Sequence, residues 1–139
     1  MNRLPALALI ATAVTSTALA VALHVRAPGA DSPCSAGVVS RVYFGQTTPW
    51  GAVTDVQWQA FVAQTLTPRF PSGFTELRAR GHWRAAPGSI LEEDTRVIEV
   101  AHDGSAQARE RVLGVAADYR RAFGQQSVLV TQSQALQCF

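Results

Sequence analysis

Two stretches of helical periodicity are set among four stretches of strand character, and that order limits the available folds more than any other feature. Val38 to Gly45, VVSRVYFG, is rich in β-branched and aromatic residues and ends on glycine, which predicts a strand. A loop with Pro49 and Gly51 follows. Thr54, with Gln57 three residues on, has the form of a capping box, and Val53 and Trp58 stand at the positions of a hydrophobic staple. Trp58, Phe61, Val62, Thr65 and Leu66 then recur at helical spacing, and Pro68 is expected to end the helix. After the turn Phe70-Pro71-Ser72-Gly73, the stretch to Arg84 alternates. Thr75, Leu77, Ala79, Gly81 and Trp83 point one way; Phe74, Glu76, Arg78, Arg80, His82 and Arg84 point the other, as in a half-buried strand. Ala85 to Asp94, around Pro87-Gly88, reads as a hairpin connection, and Thr95 to His102 as the next strand. Asp103-Gly104-Ser105 opens a second helix whose Ala108, Val112, Val115, Ala116, Tyr119 and Phe123 share a face. Arg120 and Arg121 suit its last turn and Gly124 its end; Gln126 to Gln132 is the last predicted strand.

The order β-α-β-β-α-β is that of a ferredoxin-like α+β sandwich: a four-stranded antiparallel sheet with strand order 4-1-3-2 and both helices on one face. The two cysteines, Cys34 and Cys138, bracket this unit. First and last strands are neighbours in such a sheet, so the fold brings both cysteines to one end of it. With no zinc spacing and no C-x-x-C pair, a disulfide is expected.

Met1-Asn2-Arg3 is followed by an uncharged run from Leu4 to Leu23 that ends in small residues, with Ala18-Leu19-Ala20 or Ala20-Val21-Ala22 as cleavage sites. A basic start, an apolar stretch and A-x-A spacing describe a secretory signal peptide, and twenty apolar residues also suffice for an uncleaved membrane anchor. Residues 1–33 are therefore read as signal or anchor plus linker, and residues 34–139 as one exported domain, periplasmic or secreted or tethered to the inner membrane through residues 4–23. All 12 basic residues are arginines, set against 10 acidic ones. That balance lacks the basic excess of a nucleic-acid binder.

Tyr43-Phe44-Gly45, Trp58-x-x-Phe61, Thr67-Pro68-Arg69-Phe70-Pro71-x-Gly73-x-Thr75, Gly81-x-Trp83-Arg84 and Phe123-Gly124-Gln125-Gln126-Ser127-Val128-Leu129 occur in this order. From about Arg41 to Leu129 the chain resembles an exported bacterial family known only as domain of unknown function 3574. The resemblance directs attention to Glu93 in the stretch before the third strand. It implies no activity, substrate or cofactor.

Candidate sites follow from the alternation. If the helices cover Leu77, Ala79 and Trp83, the opposite face shows Arg78, Arg80, His82 and Arg84, joined by Arg41 and Tyr43 of the first strand. Arginine forks on a bare sheet face suit a small carboxylate or phosphate. Glu76 and Glu99 can instead neutralise them across the strands, and a bare sheet face can pack on a protein partner or a second copy as a homodimer. His82 and His102, with Glu92, Glu93 or Asp94, lack any metal-ligand spacing, so no metal and no cofactor are expected. Arg69 is expected to brace its turn through backbone carbonyls, and Trp50 to line a pocket or partner surface. Ser127 has no nucleophile-elbow context. The leading expectation is a non-catalytic binding or interaction module. The alternative is a small cofactor-independent enzyme with a pocket near Tyr43, Arg80, His82 and Glu93.

Overall fold

The computed structural model of the chain describes residues 33–84 and 88–139. The expected signal or anchor, nearly all of the linker, and Ala85 to Pro87 lie outside the described residues, whose helices include none long and apolar enough to cross a membrane. The main elements are β1 (Cys34–Gly45), a small ladder of β2 (Thr47–Thr48) and β3 (Gly51–Ala52), α1 (Asp55–Phe61), α2 (Thr67–Arg69), β4 (Thr75–Arg84), β5 (Ile90–His102), α3 (Ala106–Phe123) and β6 (Leu129–Cys138). The four long strands form one antiparallel sheet in the order β4-β5-β1-β6, which is the expected ferredoxin-like arrangement.

Local chemistry accounts for the helices. Thr54 accepts from the Gln57 backbone N–H, while the Gln57 side chain accepts from the Thr54 N–H, so both halves of the capping box form. A π turn, Val62–Leu66, joins α1 to α2, and the Thr67 N–H bonds to the Val62 carbonyl five residues back. Pro68 therefore sits inside the helical run rather than ending it. The wider turn accommodates a ring that in regular α-helix would press on the Gln64 carbonyl. Ser105 caps α3, and Gly124 closes it in the left-handed conformation at φ 61°.

The core lies between the sheet and the helices. Val42 and Phe44 of β1 and Ile98 and Val100 of β5 meet Trp58, Phe61 and Leu66 from the first helical run, and Val112, Val115, Ala116 and Tyr119 from α3. Phe44, Trp58, Phe61 and Tyr119 pack with centroids 4.7–6.2 Å apart, edge-on in every pairing but the tilted Trp58–Phe61.

One expectation is reversed. Opposed residues on paired strands share a face. Glu76 opposes Ile98 and Arg78 opposes Arg96, so Glu76, Arg78, Arg80, His82 and Arg84 lie on the helix side. Leu77 opposes Val97 and Trp83 opposes Leu91 on the open face, where Tyr43 and Arg41 also lie. The cause is Arg96. Its guanidinium is buried on the helix side, 5.6 Å from the Trp58 ring centroid, and pairs with Glu76 at 2.7 Å and with Asp55. The charged side of β4 thus turns inward at its start and outgrows the helices toward its end.

The strand limits also differ from expectation. β5 begins at Ile90, so Glu92, Glu93 and Asp94 are paired strand residues rather than a loop. β6 begins only at Leu129 and runs to Cys138, which leaves Gln126 to Val128 as a connection. The longer β6 places Cys138 directly opposite Cys34, and the two form the disulfide.

Candidate functional site

A cleft of about 470 Å³ opens on the helix-free face of the sheet. Its floor comes from Tyr43 and Gly45 of β1, Gly81 and Trp83 of β4, and Leu91, Glu93 and Thr95 of β5. Thr47 to Pro49 and Gly124 to Ser127 form its rim, and Leu129 at the start of β6 closes one side. This volume lies within the range of small-molecule sites.

Two glycines shape the floor. A side-chain carbon on Gly45 would lie 2.6 Å from Glu93 Oε1, and one on Gly81 would lie 2.8 Å from Thr95 Oγ1. The carboxylate of Glu93 therefore occupies space that any other residue at position 45 would fill. Its partner is the Thr47 backbone N–H, at a long 3.4 Å. Among the described residues it makes no ion pair.

The rim is tied down from behind. The Tyr119 hydroxyl donates to the Gly45 carbonyl at 2.8 Å and accepts from Gln46 Nε2 at 3.0 Å. Burial pushes the Tyr119 hydroxyl far above the usual phenol range, so it stays protonated and keeps donating. Gln125 Nε2 donates to the Thr47 carbonyl at 2.6 Å, which links the end of α3 to the β1 exit. Trp50 lies across Gly124, where a side chain would meet its ring at 2.8 Å, but its own surface is 78% exposed. It buttresses the rim behind Pro49 and does not line the cleft.

Of the expected pocket, Tyr43 and Glu93 share this cleft on the helix-free face, His82 borders it although its side chain leaves from the other face, and Arg80 stands outside it. Arg80 faces Glu92 and Asp94, both at 3.6 Å, and His82 Nδ1 lies 3.7 Å from Glu92. Arg78 reaches Asp55 at 3.9 Å, and Arg41 pairs with Glu99 at 2.6 Å on the other side of the sheet. Arg41, Arg78, Arg80 and Arg84 are thus divided between two faces. Arg69 pairs with Asp118 of α3 rather than with turn carbonyls. The cleft residues that sequence reasoning passed over include Thr95, Leu91, the Thr47–Pro49 rim and the Gln125–Ser127 connection. Single glycines inside strand patterns, Gly45 and Gly81, mark a close approach and are the signal for Glu93 and Thr95.

His102 belongs to a different, structural group. Its Nδ1 accepts from the Gly104 N–H at 3.1 Å, so neutral His102 carries its proton on Nε2 and donates to Ser40 Oγ at 2.8 Å. Gln132 Nε2 also donates to that hydroxyl, at 2.9 Å. The imidazole cannot then act as a base toward Ser40. Burial, the largest effect, lowers the His102 pKa below the ordinary imidazole value; Asp103 opposes this, and Arg109 and Arg111 reinforce it. The unfolded chain therefore takes up the proton first as pH falls below about 6.5. Stability present above that pH is lost as pH falls through the lower folded-state pKa. The urea midpoint should drop over that window in the native protein, and less in His102→Asn. An equal drop in both would show that another group is responsible.

Residues 39–139 match the family whose description is a protein of unknown function, DUF3574, and the chain belongs to that family. Among solved structures it is similar to a phage SAM lyase in complex with S-methyl-5'-thioadenosine, at 16% identity over 74% of this chain and 90% of that one, with a TM-score of 0.55. The same lyase in its apo state gives 18%, 75%, 89% and 0.54. A PII-like signaling protein from Thermus thermophilus aligns at 12% identity over 76% of this chain and 92% of that one, with a TM-score of 0.48. The lyase likeness is one of fold. No curated protein matches the sequence.

Proposed function

We propose that this member of the family of unknown function is an exported small-molecule-binding module whose ligand sits in the cleft over Glu93. One observation carries the reading. Three of the five segments that bear the family resemblance, Tyr43–Gly45, Gly81–Trp83 and Gly124–Leu129, meet around that cleft, together with Glu93. The other two, Trp58-x-x-Phe61 and Thr67 to Thr75, build the core and its turn. Separate parts of the chain thus converge on one hollow of ligand size. The disulfide supports an oxidising, exported setting. The apolar run at Leu4 to Leu23 supports delivery there by signal or anchor.

A thermal-shift screen with chemically diverse small molecules tests the reading on the full chain, produced by export so that the disulfide forms. A ligand at a hundred times its Kd adds about 2.7 kcal/mol, a shift of several degrees in a domain of this size. Trp83→Ala and Tyr43→Ala should weaken such shifts while lowering the unliganded melting temperature little, since both side chains lie on the open face. A screen without a single cleft-dependent ligand would remove the proposal.

A second reading has its own support. Leu77, Trp83, Leu91 and Leu129 are 43–58% exposed on the same face, enough apolar surface to pack on a second copy. Sedimentation at micromolar concentration decides it: a strictly monomeric profile excludes a homodimer through the sheet.

A further inference from the structure

We infer that the ligand of this cleft is a small organic cation, an ammonium-type head held by Glu93 beside the Trp83 ring, on an apolar body that runs along the floor toward Tyr43. The inference rests on the binding reading above and specifies it. Among the described residues the lining includes no arginine, in a chain whose 12 arginines exceed its 10 acidic residues, and of the two glutamates that border the cleft Glu93 leaves from its face of the sheet while Glu92 leaves from the other. Glu92 is already engaged by Arg80 and His82. Glu93 is not engaged in this way. It is half-buried, it lines the hollow, and it accepts one long hydrogen bond, from the Thr47 N–H.

Geometry around Glu93 suits such a head. Gly81 directly opposes Glu93, and Trp83 opposes Leu91 two positions along, so the indole is a diagonal neighbour on the same face. That spacing is within reach of an aromatic side chain. Tyr43 and Leu129 pair at the far end of the floor. A cation above Glu93 therefore has the indole beside it, and tryptophan is the aromatic best suited to attract one; Tyr43, opposite Val97 and four positions along β5 from Glu93, is placed to receive the apolar body instead. The arginines of β4 cannot compete for the carboxylate, because their side chains leave from the opposite face of the sheet. An anionic ligand would meet Glu93 with no cation to offset it.

The test compares cations with their neutral carbon isosteres on the full exported chain. Choline against 3,3-dimethylbutan-1-ol, and phenyltrimethylammonium against tert-butylbenzene, differ essentially by the charge. Calorimetric or NMR titration is expected to give roughly tenfold tighter binding of each cation, a difference set by the usual strength of a cation–π contact in a partly desolvated site together with the charge of Glu93. Glu93→Gln should cut the cation preference severalfold while keeping the binding of neutral ligands, the remainder being the share of the Trp83 ring. Trp83→Ala should weaken both members. Neutral isosteres that bind as well as the cations, or a cation preference left unchanged by Glu93→Gln, would overturn the inference and leave the cleft reading standing. Neither cations nor neutral compounds binding up to millimolar concentration would overturn both. Circular dichroism of each variant separates lost binding from lost fold.

Discussion

Glu76→Ala is expected to destabilise the domain by about 3 kcal/mol, the lower end of the cost of breaking a buried ion pair by removing one partner. Glu76 Oε1 accepts from two donors, Arg96 Nη1 at 2.7 Å and the Trp58 indole N–H at 2.9 Å. Both donors are buried, the arginine at 8% exposure and the tryptophan completely. Alanine leaves the guanidinium with Asp55 alone, whose side chain is largely exposed, and leaves the indole N–H with no acceptor. An orphaned buried donor costs roughly 1–3 kcal/mol by itself. Glu76→Gln keeps an acceptor for the indole and loses only the charge, so it should cost less than alanine. The pair Arg96→Leu with Glu76→Leu removes both charges together and should recover the ion-pair part of the loss, since apolar replacement of a buried pair is often neutral, while the indole N–H stays without this acceptor. Urea denaturation of the three variants checks the order. A Glu76→Ala protein as stable as the parent would mean that water reaches this site, and the buried network would be no network at all.

This same network explains what the sequence could and could not reveal. The order of elements, the helix caps, the core faces of both helices and the cysteine pairing were legible, because each rests on local chemistry or on period. Ala108, Val112, Val115, Ala116 and Tyr119 are buried as their spacing requires. The facing of β4 was not legible. In an edge strand whose two sides carry Leu77 and Trp83 against Glu76 and Arg78, hydrophobic alternation points the apolar side inward. The buried Arg96 makes the opposite choice favourable by giving Glu76 a partner under α1. No period in a single strand records that a charge on the neighbouring strand is buried. The cleft was half-legible for a related reason. Tyr43 and Glu93 were named, and they do share it. Arg80 was grouped with them because Tyr43 was placed on the arginine side. Glu93 itself was expected in a hairpin loop, since Glu92-Glu93-Asp94 has weak strand propensity. The pairing of Gly81 with Glu93 and of His82 with Glu92 draws it into the sheet.

Removing the Cys34–Cys138 bond should produce the other large effect. The bond joins residues 104 apart in sequence. Closing a loop of about a hundred residues restricts the unfolded chain by about 4–5 kcal/mol on the chain-entropy account, and removal from small exported domains typically costs about 2–5 kcal/mol. Here the bond also fixes an edge strand. β6 pairs only with β1, and its last bonds lie beside the disulfide: Phe139 N–H to the Pro33 carbonyl at 3.1 Å and Gln137 Nε2 to the Val38 carbonyl at 3.0 Å. Gln132 and Val130 of β6, by contrast, are held by Ser40 and by the core. Loss of the bond should therefore act in two ways. The unfolded ensemble gains freedom, which lowers the urea midpoint by roughly 2 M at an ordinary slope for a domain of this size. The folded state frays from Cys138 back toward Ser133, which hydrogen exchange should register there and not at Val130. Cys34→Ala with Cys138→Ala should reproduce the effect of reductant on the native chain. An unchanged midpoint in both would show that β1–β6 pairing alone closes the sheet. A large drop would tie the stability of the cleft to an oxidising compartment, because Leu129 at the head of β6 forms one of its walls.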